Sequence, residues 1–346
     1  MARTEVRALE SGELTAWDEL VAGSPQGTAF HTSDWLEQTA SSLNRTLVIL
    51  GCYEDETLTG GCPLLLSNPY RLLKIASSAA LLAPYGGIVV AGAESTNQRK
   101  RESHADKVVE SIRDHIVRER YDYVDLVNSP GFADIRGFTR NGWNAKVYYT
   151  YMLPADGDLF NRITKNARNS IHKARRLGIT ATEHFDAEVY WALTVNTFER
   201  QHSQPPFSKK HLLSLLKTIR EKNLGEMWVA TTSSGEIVAA EIMVCDKKTA
   251  HRWSAASLGE HLSTGATSLL LSEIITHFAG RSCSSVNLMG GNMARLSAFV
   301  SGFNPDLVPY YGVELSGPRY SIINGLNNRM KGVTSRITSK AGTGSP

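Results

Sequence analysis

The chain has 346 residues, 42% of them hydrophobic and 21% charged, with a net charge of +3. That composition excludes a disordered or collagen-like chain, and so mild a charge excludes binding to nucleic acid through bulk electrostatics alone. A single core rarely grows past roughly 250–300 residues, so two domains are expected. Cys52, Cys62, Cys245 and Cys283 form no C-x-x-C pair and share no zinc-ligand spacing with histidine; they read as free thiols in a reducing compartment. The first residues, Met1 to Val6, hold no apolar signal core, and no run of 18 apolar residues occurs. A soluble, cytoplasmic protein is the expectation.

In chain order, Ser33 or Asp34 is placed to cap a helix. The segment 47–67 (LVILGCYEDETLTGGCPLLLS) then reads as a β-hairpin, with turn residues between two apolar runs. Residues 98–120 have helical periodicity and precede a strand at 121–127. Segment 124–153 (VDLVNSPGFADIRGFTRNGWNAKVYYTYML) ends the first half. A second hairpin lies at 227–246 (MWVATTSSGEIVAAEIMVCD), a helix at 264–279 and a strand at 284–289. Segment 286–315 (VNLMGGNMARLSAFVSGFNPDLVPYYGVEL) parallels 124–153, with an Arg, a Phe, Gly-(Trp/Phe)-Asn, a Tyr pair and a closing Leu in the same order. The two hairpins and the two terminal segments recur at offsets between about 160 and 180 residues. Two collinear matches point to duplication of a whole domain. Each half runs helix, hairpin, strand, helix, strand, short helix, last strand, which is an α/β unit with a mixed sheet. The boundary falls near Pro154, giving domains 1–154 and 155–334, a helix over 318–331 and a flexible tail at 335–346.

The segment 158–177 is expected to be one helix, started by Asp156 or Asp158 and ended by Gly178. At 100° per residue, Phe160, Ile163, Ala167, Ile171 and Ala174 share one side. Lys165, Arg168, His172, Arg175 and Arg176 share the other. A stripe of one sign suits phosphate, which arginine binds bidentately; the plain alternative is a solvated face. Farther on, the strand ending at Trp253–Gly259 leads through Leu262-Ser-Thr-Gly265-Ala266-Thr267 into a helix. A small-residue loop at a helix N-terminus favours anions, so Gly265 and Ala266 are candidate donor contacts, against the alternative of simple capping by Ser263 or Thr264.

No Gly-x-Ser-x-Gly elbow, Walker loop, Gly-x-Gly-x-x-Gly or paired-histidine zinc motif occurs, so no resident metal or tightly bound cofactor is expected. Direct transfer fits a chain without a covalent nucleophile: an amine attacks an activated ester, and the protein supplies position, oxyanion donors and a proton path. Glu241, in the strand opening Val238-Ala-Ala, is the candidate base, since a buried carboxyl holds its proton more tightly. The alternative is that it faces solvent.

Several stretches resemble the FemAB family of the GNAT superfamily. They are Gly27-Thr-Ala-Phe30-His31-Thr-Ser-Asp-Trp35, Pro84-Tyr85-Gly86-Gly87, Asp134-Ile-Arg136-Gly-Phe138, Ile163–Gly178, Phe198-Glu-Arg200, Gly265-Ala-Thr-Ser-Leu269 and Val286-Asn-Leu-Met-Gly290-Gly291. The likeness runs over roughly 20–316. It implies an α/β fold of two tandem GNAT-like domains with mixed sheets. It also implies an N-acyltransferase that moves an acyl or aminoacyl group from acyl-CoA or aminoacyl-tRNA to an envelope or polysaccharide precursor. By the same resemblance, Arg200, Trp253, Tyr85 and Gly86 contact the acceptor, while Arg168, Arg175, Gly265, Ala266, Arg295 and Phe299 contact the donor. Candidate partners are a precursor substrate and tRNA, with peripheral contact to envelope synthesis and no DNA. One departure matters: the family's Phe-Lys pair reads Phe299-Val300, so a lysine linked to tRNA use is missing, and Arg295 one turn earlier is the candidate substitute. A duplicated domain that kept its cleft and lost its chemistry is the alternative.

Overall fold

The computed structural model describes residues 4–92, 97–155, 159–281 and 283–325. Strand β1 (Thr4–Ala8), helix α1 (Leu14–Gly23) and helix α2 (Ser33–Ser42) open the chain. Thr32 rather than Ser33 or Asp34 is the N-cap of α2; the Ser33 hydroxyl donates instead to Asp18 at 2.6 Å. The first hairpin forms as expected from β2 (Thr46–Glu54) and β3 (Thr57–Ser67). Then come β4 (Ile75–Ser77), β5 (Val89–Val90), α3 (Gln98–Arg118), β6 (Tyr123–Val127), α4 (Arg136–Thr139) and β7 (Asn144–Pro154).

The single basic helix expected over 158–177 is two helices, α5 (Leu159–Arg162) and α6 (Lys165–Arg176). The break has a local cause. Thr164 is extended, its hydroxyl accepts from Ala167 N–H, and its own N–H goes to the Gly302 carbonyl at 2.9 Å rather than back along the helix. Asp156 and Asp158, the expected caps, lie outside the described residues. Gly178 ends α6 with φ +72°, as its position suggested. The rest of the second half is β8 (Thr180–Glu183), α7 (Ala187–Glu199), α8 (Lys209–Glu221), β9 (Gly225–Thr231), β10 (Ile237–Cys245), β11 (Thr249–Ser257), α9 (Ala266–Ala279), β12 (Ser285–Asn287), α10 (Ala294–Val300) and β13 (Asp306–Ser316). Residues 318–325 are helical; the remainder of the helix expected to 331, and the tail, lie outside the described residues.

The strands do not form two separate sheets. They join in one, ordered β1-β2-β3-β4-β6-β13-β7-β12-β11-β10-β9-β8, with β5 on β3. The joint is a reciprocal exchange of last strands. β13, from the end of the chain, lies antiparallel to β6 of the first half, and β7 lies antiparallel to β12 of the second. The pairs Leu315↔Val124 and Leu153↔Val286 are one contact seen from each half. Between them β7 and β13 pair antiparallel over nine residues, Tyr148 opposite Tyr310. Lys146 stitches this region, reaching Glu314 at 2.7 Å and Asp125 at 3.1 Å.

The apolar patterns of the helices explain the layers. The α3 face Val108, Val109, Ile112 and Ile116 packs on Leu64, Val124 and Leu126. The α6 stripe expected to dock does so: Ala167, Ile171 and Ala174 are buried with Leu270 and Ile274 of α9. A third core crosses between halves. Phe30, Trp35 and Tyr85 of the first pack with Tyr190, Leu212, Leu216 and Ile242 of the second. Burying a side chain of this size contributes about 1.5–3 kcal/mol, so the halves are held by a shared interior. The rim adds a Lys222–Asp34 ion pair at 2.8 Å between α8 and α2.

Candidate active site

β11 and β12 run parallel but pair over only three residues, ending at His251↔Asn287. β11 continues to Ser257, while the chain after β12 turns away through two left-handed residues, Met289 (φ +57°) and Gly290 (φ +71°). A Cβ on Gly290 would meet the Leu296 Cβ at 2.8 Å, so the turn is tight as well as strained. Trp253 is the extra residue of a bulge, because Met243 pairs Arg252 and Ile242 pairs Ser254. The strands therefore part where the ladder is also kinked.

A cavity of about 250 Å³ lies at the parting. One wall is Arg252, Trp253, Ser254 and Ala255; the other includes Leu288, Met289, Asn292 and Met293; Tyr310 comes from β13. The first half closes it with Pro84, Tyr85, Tyr149 and Thr150. The exchange of β7 and β13 is what brings both halves to one cavity. Tyr310 sits edge-on to Tyr85 at 5.2 Å and stacks on Tyr148 at 5.2 Å. Burial pushes both the Tyr85 and Tyr310 phenols up, so each is a neutral donor. The Trp253 indole donates to the Leu82 carbonyl at 2.7 Å, which fixes its ring across the joint.

Two polar assemblies stand behind the walls. In the first, Arg252 Nε and Nη2 each donate to the Glu241 carboxylate at 2.7 Å, both residues being buried. The guanidinium lies over the Phe299 ring, 5.5 Å from its centre. In the second, Asp246, His251, Asn287 and Tyr85 form a hydrogen-bonded chain. Burial opposes the Asp246 charge, but bonds from His251 and from the Lys248 and Thr249 N–H groups outweigh it and hold the carboxyl below its usual range. Nearby, His31 is fully buried and its Nε2 has no partner among the described residues. Burial lowers its pKa to about 4.

The segment from within α5 to the start of α10, residues 161–295, matches the family model described as an acetyltransferase (GNAT) domain. Residues 161–295 are thus similar to an acyltransferase domain of the GNAT type. Over about nine-tenths of its length the chain superposes on solved structures of low identity. FemX matches at TM-score 0.68 and 11% identity, covering 89% of this chain and 96% of that one. L-PGS from Bacillus licheniformis matches at 0.55 and 9%, covering 89% and 92%. A tandem GNAT protein from the clavulanic acid biosynthesis pathway matches at 0.51 and 10%, covering 90% and 98%. These likenesses show a tandem GNAT, FemAB-like fold. No curated protein matches the sequence significantly.

Within this GNAT framework the expected site residues fall into three places. Tyr85 and Trp253 line the cavity. Gly86 is not among the cavity's lining residues; it packs against backbone, where a Cβ would stand 1.8 Å from the Ser78 carbonyl oxygen. Glu241 and Phe299 do not line the cavity but flank Arg252, and Glu241 is buried rather than solvent-facing. Arg200, Gly265 and Ala266 gather instead around the loop from β11 to α9. Arg200 Nη1 donates to the Ser257 carbonyl at 3.1 Å, its Cδ packs near Gly259, and Gly265 (φ +86°) caps α9. Ser263 and Thr264 are not the N-cap. Arg168, Arg175 and Arg295 are on α6 and α10. Arg168 donates to the Phe160 carbonyl and Arg175 to Glu273 at 2.8 Å, while Arg295 is exposed. Arg252, Tyr310, Thr150, Asn287 and the Asp246–His251 pair were not singled out by the sequence. Their signal is the paired strands themselves, and it needs the register of β7, β11, β12 and β13 to be read.

Among the described residues no helix is long and apolar enough to cross a membrane. Glu236, Glu260 and His261 approach one another at the surface, away from the cavity walls.

Proposed function

We propose that the protein is a FemAB-like N-acyltransferase that takes an acyl group from an acyl-CoA thioester and passes it directly to an amine held in the cavity between the halves. The observation that carries this is the parting of β11 from β12. Beyond His251↔Asn287, the edge of β11 facing the gap has no strand partner among the described residues. An extended donor with amide groups can pair with such an edge as an added strand. The same strand leads to the N-terminus of α9, where free N–H groups and the helix dipole favour a pyrophosphate. One strand thus offers an amide ladder at one end and an anion site at the other, which is the layout of CoA: a pantetheine arm carrying amides and a diphosphate. The reactive carbonyl then falls in the cavity, among Tyr85, Arg252, Ser254 and Thr150.

Acyl-CoA is favoured over aminoacyl-tRNA because part of the basic surface of α6 is already engaged within the chain. Arg168, Lys173 and Arg175 hold the Phe160 carbonyl, the Ser263 carbonyl and Glu273 respectively. The acceptor amine belongs to an envelope or polysaccharide precursor by resemblance, with apolar and aromatic character to match Trp253, Tyr310, Met289 and Leu296. Calorimetry and thermal unfolding with acetyl-CoA, longer acyl-CoAs and aminoacyl-tRNA test the donor. A ligand at 100 times its Kd stabilises by about 2.7 kcal/mol. The reading requires that shift with a CoA thioester and weak salt dependence. A shift with aminoacyl-tRNA alone, with affinity falling steeply in salt, overturns it.

A further inference from the structure

The chain Asp246–His251–Asn287–Tyr85 has only one consistent arrangement of hydrogens, and it bears on the reaction proposed above. Asn287 is the pivot. Its Oδ1 lies 3.0 Å from the Met289 N–H and 2.6 Å from the Thr150 hydroxyl. A backbone N–H can only donate, so the atom facing it is the amide oxygen, and the side chain cannot be flipped. Its Nδ2 then points both hydrogens the other way, to Tyr85 Oη at 3.2 Å and to His251 Nδ1 at 3.3 Å. His251 Nδ1 must accept, so the ring's hydrogen is on Nε2, which faces Asp246 Oδ2 at 3.1 Å. Asp246 is in turn fixed by the Lys248, Thr249 and Ala29 N–H groups. Every donor and acceptor of Asn287 is used, and all three side chains from His251 to Tyr85 are almost wholly buried.

The consequence falls on Tyr85. Its oxygen already accepts from Asn287, so its own hydrogen must be given elsewhere. The neighbours on offer are weak or neutral: the Met289 sulfur at 3.5 Å and the Thr150 hydroxyl beside it, which donates to Asn287. Tyr85, Met289 and Thr150 all border the cavity. A carbonyl oxygen that gains negative charge is a far better acceptor than either.

We propose that Asp246, His251 and Asn287 are positioning residues that hold the Tyr85 O–H as the hydrogen-bond donor to the acyl oxygen during transfer. This rests on the acyltransferase reading. The acceptor nitrogen's lone pair forms the new C–N bond while the carbonyl π pair moves to oxygen, where the Tyr85 O–H holds it. Collapse restores C=O and breaks the C–S bond. The thiolate leaves with the sulfur's pair, and the proton lost by the nitrogen ends on that sulfur. Tyr85 keeps its own proton throughout.

The test uses the full chain in two arms. Long-range ¹H–¹⁵N spectra of histidine-labelled protein, with His251 assigned by its loss in His251→Gln, should show the Nε2–H tautomer. Steady-state transfer from acetyl-CoA to a panel of amines gives the second arm. Tyr85→Phe and Asn287→Ala should each lower kcat about 100-fold, with KM for acetyl-CoA within threefold, and the double variant should be no worse than either single, because the two act as one unit. Melting curves show whether each variant is folded. An Nδ1–H tautomer in an active wild-type protein overturns the positioning chain. A folded Tyr85→Phe with unchanged kcat overturns the donor role. No transfer by a wild-type protein that shows the Nε2–H tautomer sinks the acyltransferase reading, and the donor role with it.

Discussion

Neutralising Glu241 is the sharpest single perturbation of the cavity wall. In the native protein Arg252 and Glu241 are 7% and 1% exposed, and two bonds of 2.7 Å join them side on. Burial opposes the Arg252 charge and the carboxylate restores it, so the guanidinium is held above its usual range. Glu241→Gln keeps the volume but leaves a buried cation facing an amide. Breaking a buried pair from one side costs about 3–5 kcal/mol, against a total stability of about 5–15 kcal/mol for a typical domain. Urea unfolding, followed by tryptophan fluorescence and circular dichroism together, should therefore show a large drop in midpoint with the slope unchanged. Removing both charges, as Glu241→Met with Arg252→Met, should recover most of the loss, because the desolvation cost disappears with the pair. The double variant then separates stability from chemistry: it folds, yet its cavity has no charged wall. A Glu241→Gln loss below about 1 kcal/mol, of the size seen for exposed pairs, would refute this account and return Glu241 to the list of free carboxylates.

Two further outcomes are expected. Gly265→Ala puts a side chain where φ is +86° and a Cβ would stand 2.1 Å from the Ser170 carbonyl oxygen; the left-handed backbone alone costs about 1–2 kcal/mol, so α9 must move from α6, and both the melting temperature and acyl-CoA affinity should fall. A variant that melts like the wild type and binds acyl-CoA equally would show that the loop does not depend on this contact. His31 has a folded pKa lowered to about 4 from 6.5; the unfolded chain binds the extra proton first, so its stabilisation is full above pH 6.5 and is lost as pH falls toward 4. Linkage over that window gives about 2 kcal/mol lost between pH 7 and 5, and His31→Asn should unfold with a flatter pH dependence than the wild type; equal slopes in the two proteins would mean that His31 is not buried in its neutral form.

Local pattern made the two hairpins, α3 and the buried stripe of α6 readable, because each follows from the spacing of apolar residues along one segment. The break at Thr164 escaped because the apolar stripe continues across it. What ends α5 is the Thr164 N–H bonding to Gly302, a residue 138 positions away. Glu241 shows the same limit. Its burial was one of two open readings, but its partner sits across a strand pair, and only the register Met243↔Arg252 around the Trp253 bulge brings Arg252 under it. His251 and Asn287 carry no motif spacing; they meet because β11 and β12 stop pairing there.

The strand exchange was hidden by the very repeat that points to a duplication. The segments ending in Tyr148-Tyr149 and Tyr310-Tyr311 resemble each other, so each carries the side chains the other's slot requires. A sequence pattern cannot say which of two equivalent strands occupies which slot. The exchanged arrangement has a particular consequence at the centre. Tyr148 and Tyr310, equivalent by repeat, lie opposite one another and stack with planes 21° apart. Around that pair the molecule is nearly two-fold, yet only Tyr310 borders the cavity. The asymmetry comes from the second half, where β12 stops at Asn287 and the chain turns away through Met289 and Gly290. In the first half the equivalent strand β6 ends at Val127, and Asn128 bonds straight back to the Ile88 N–H and the Tyr311 carbonyl. A Cβ on Gly87 would stand 2.0 Å from the Asn128 side-chain oxygen, so that side of the pseudo-axis is filled. Of the two equivalent places, the one in the first half is filled by Gly87 and Asn128, while Tyr85, Tyr149 and Thr150 of that half border the one that is open.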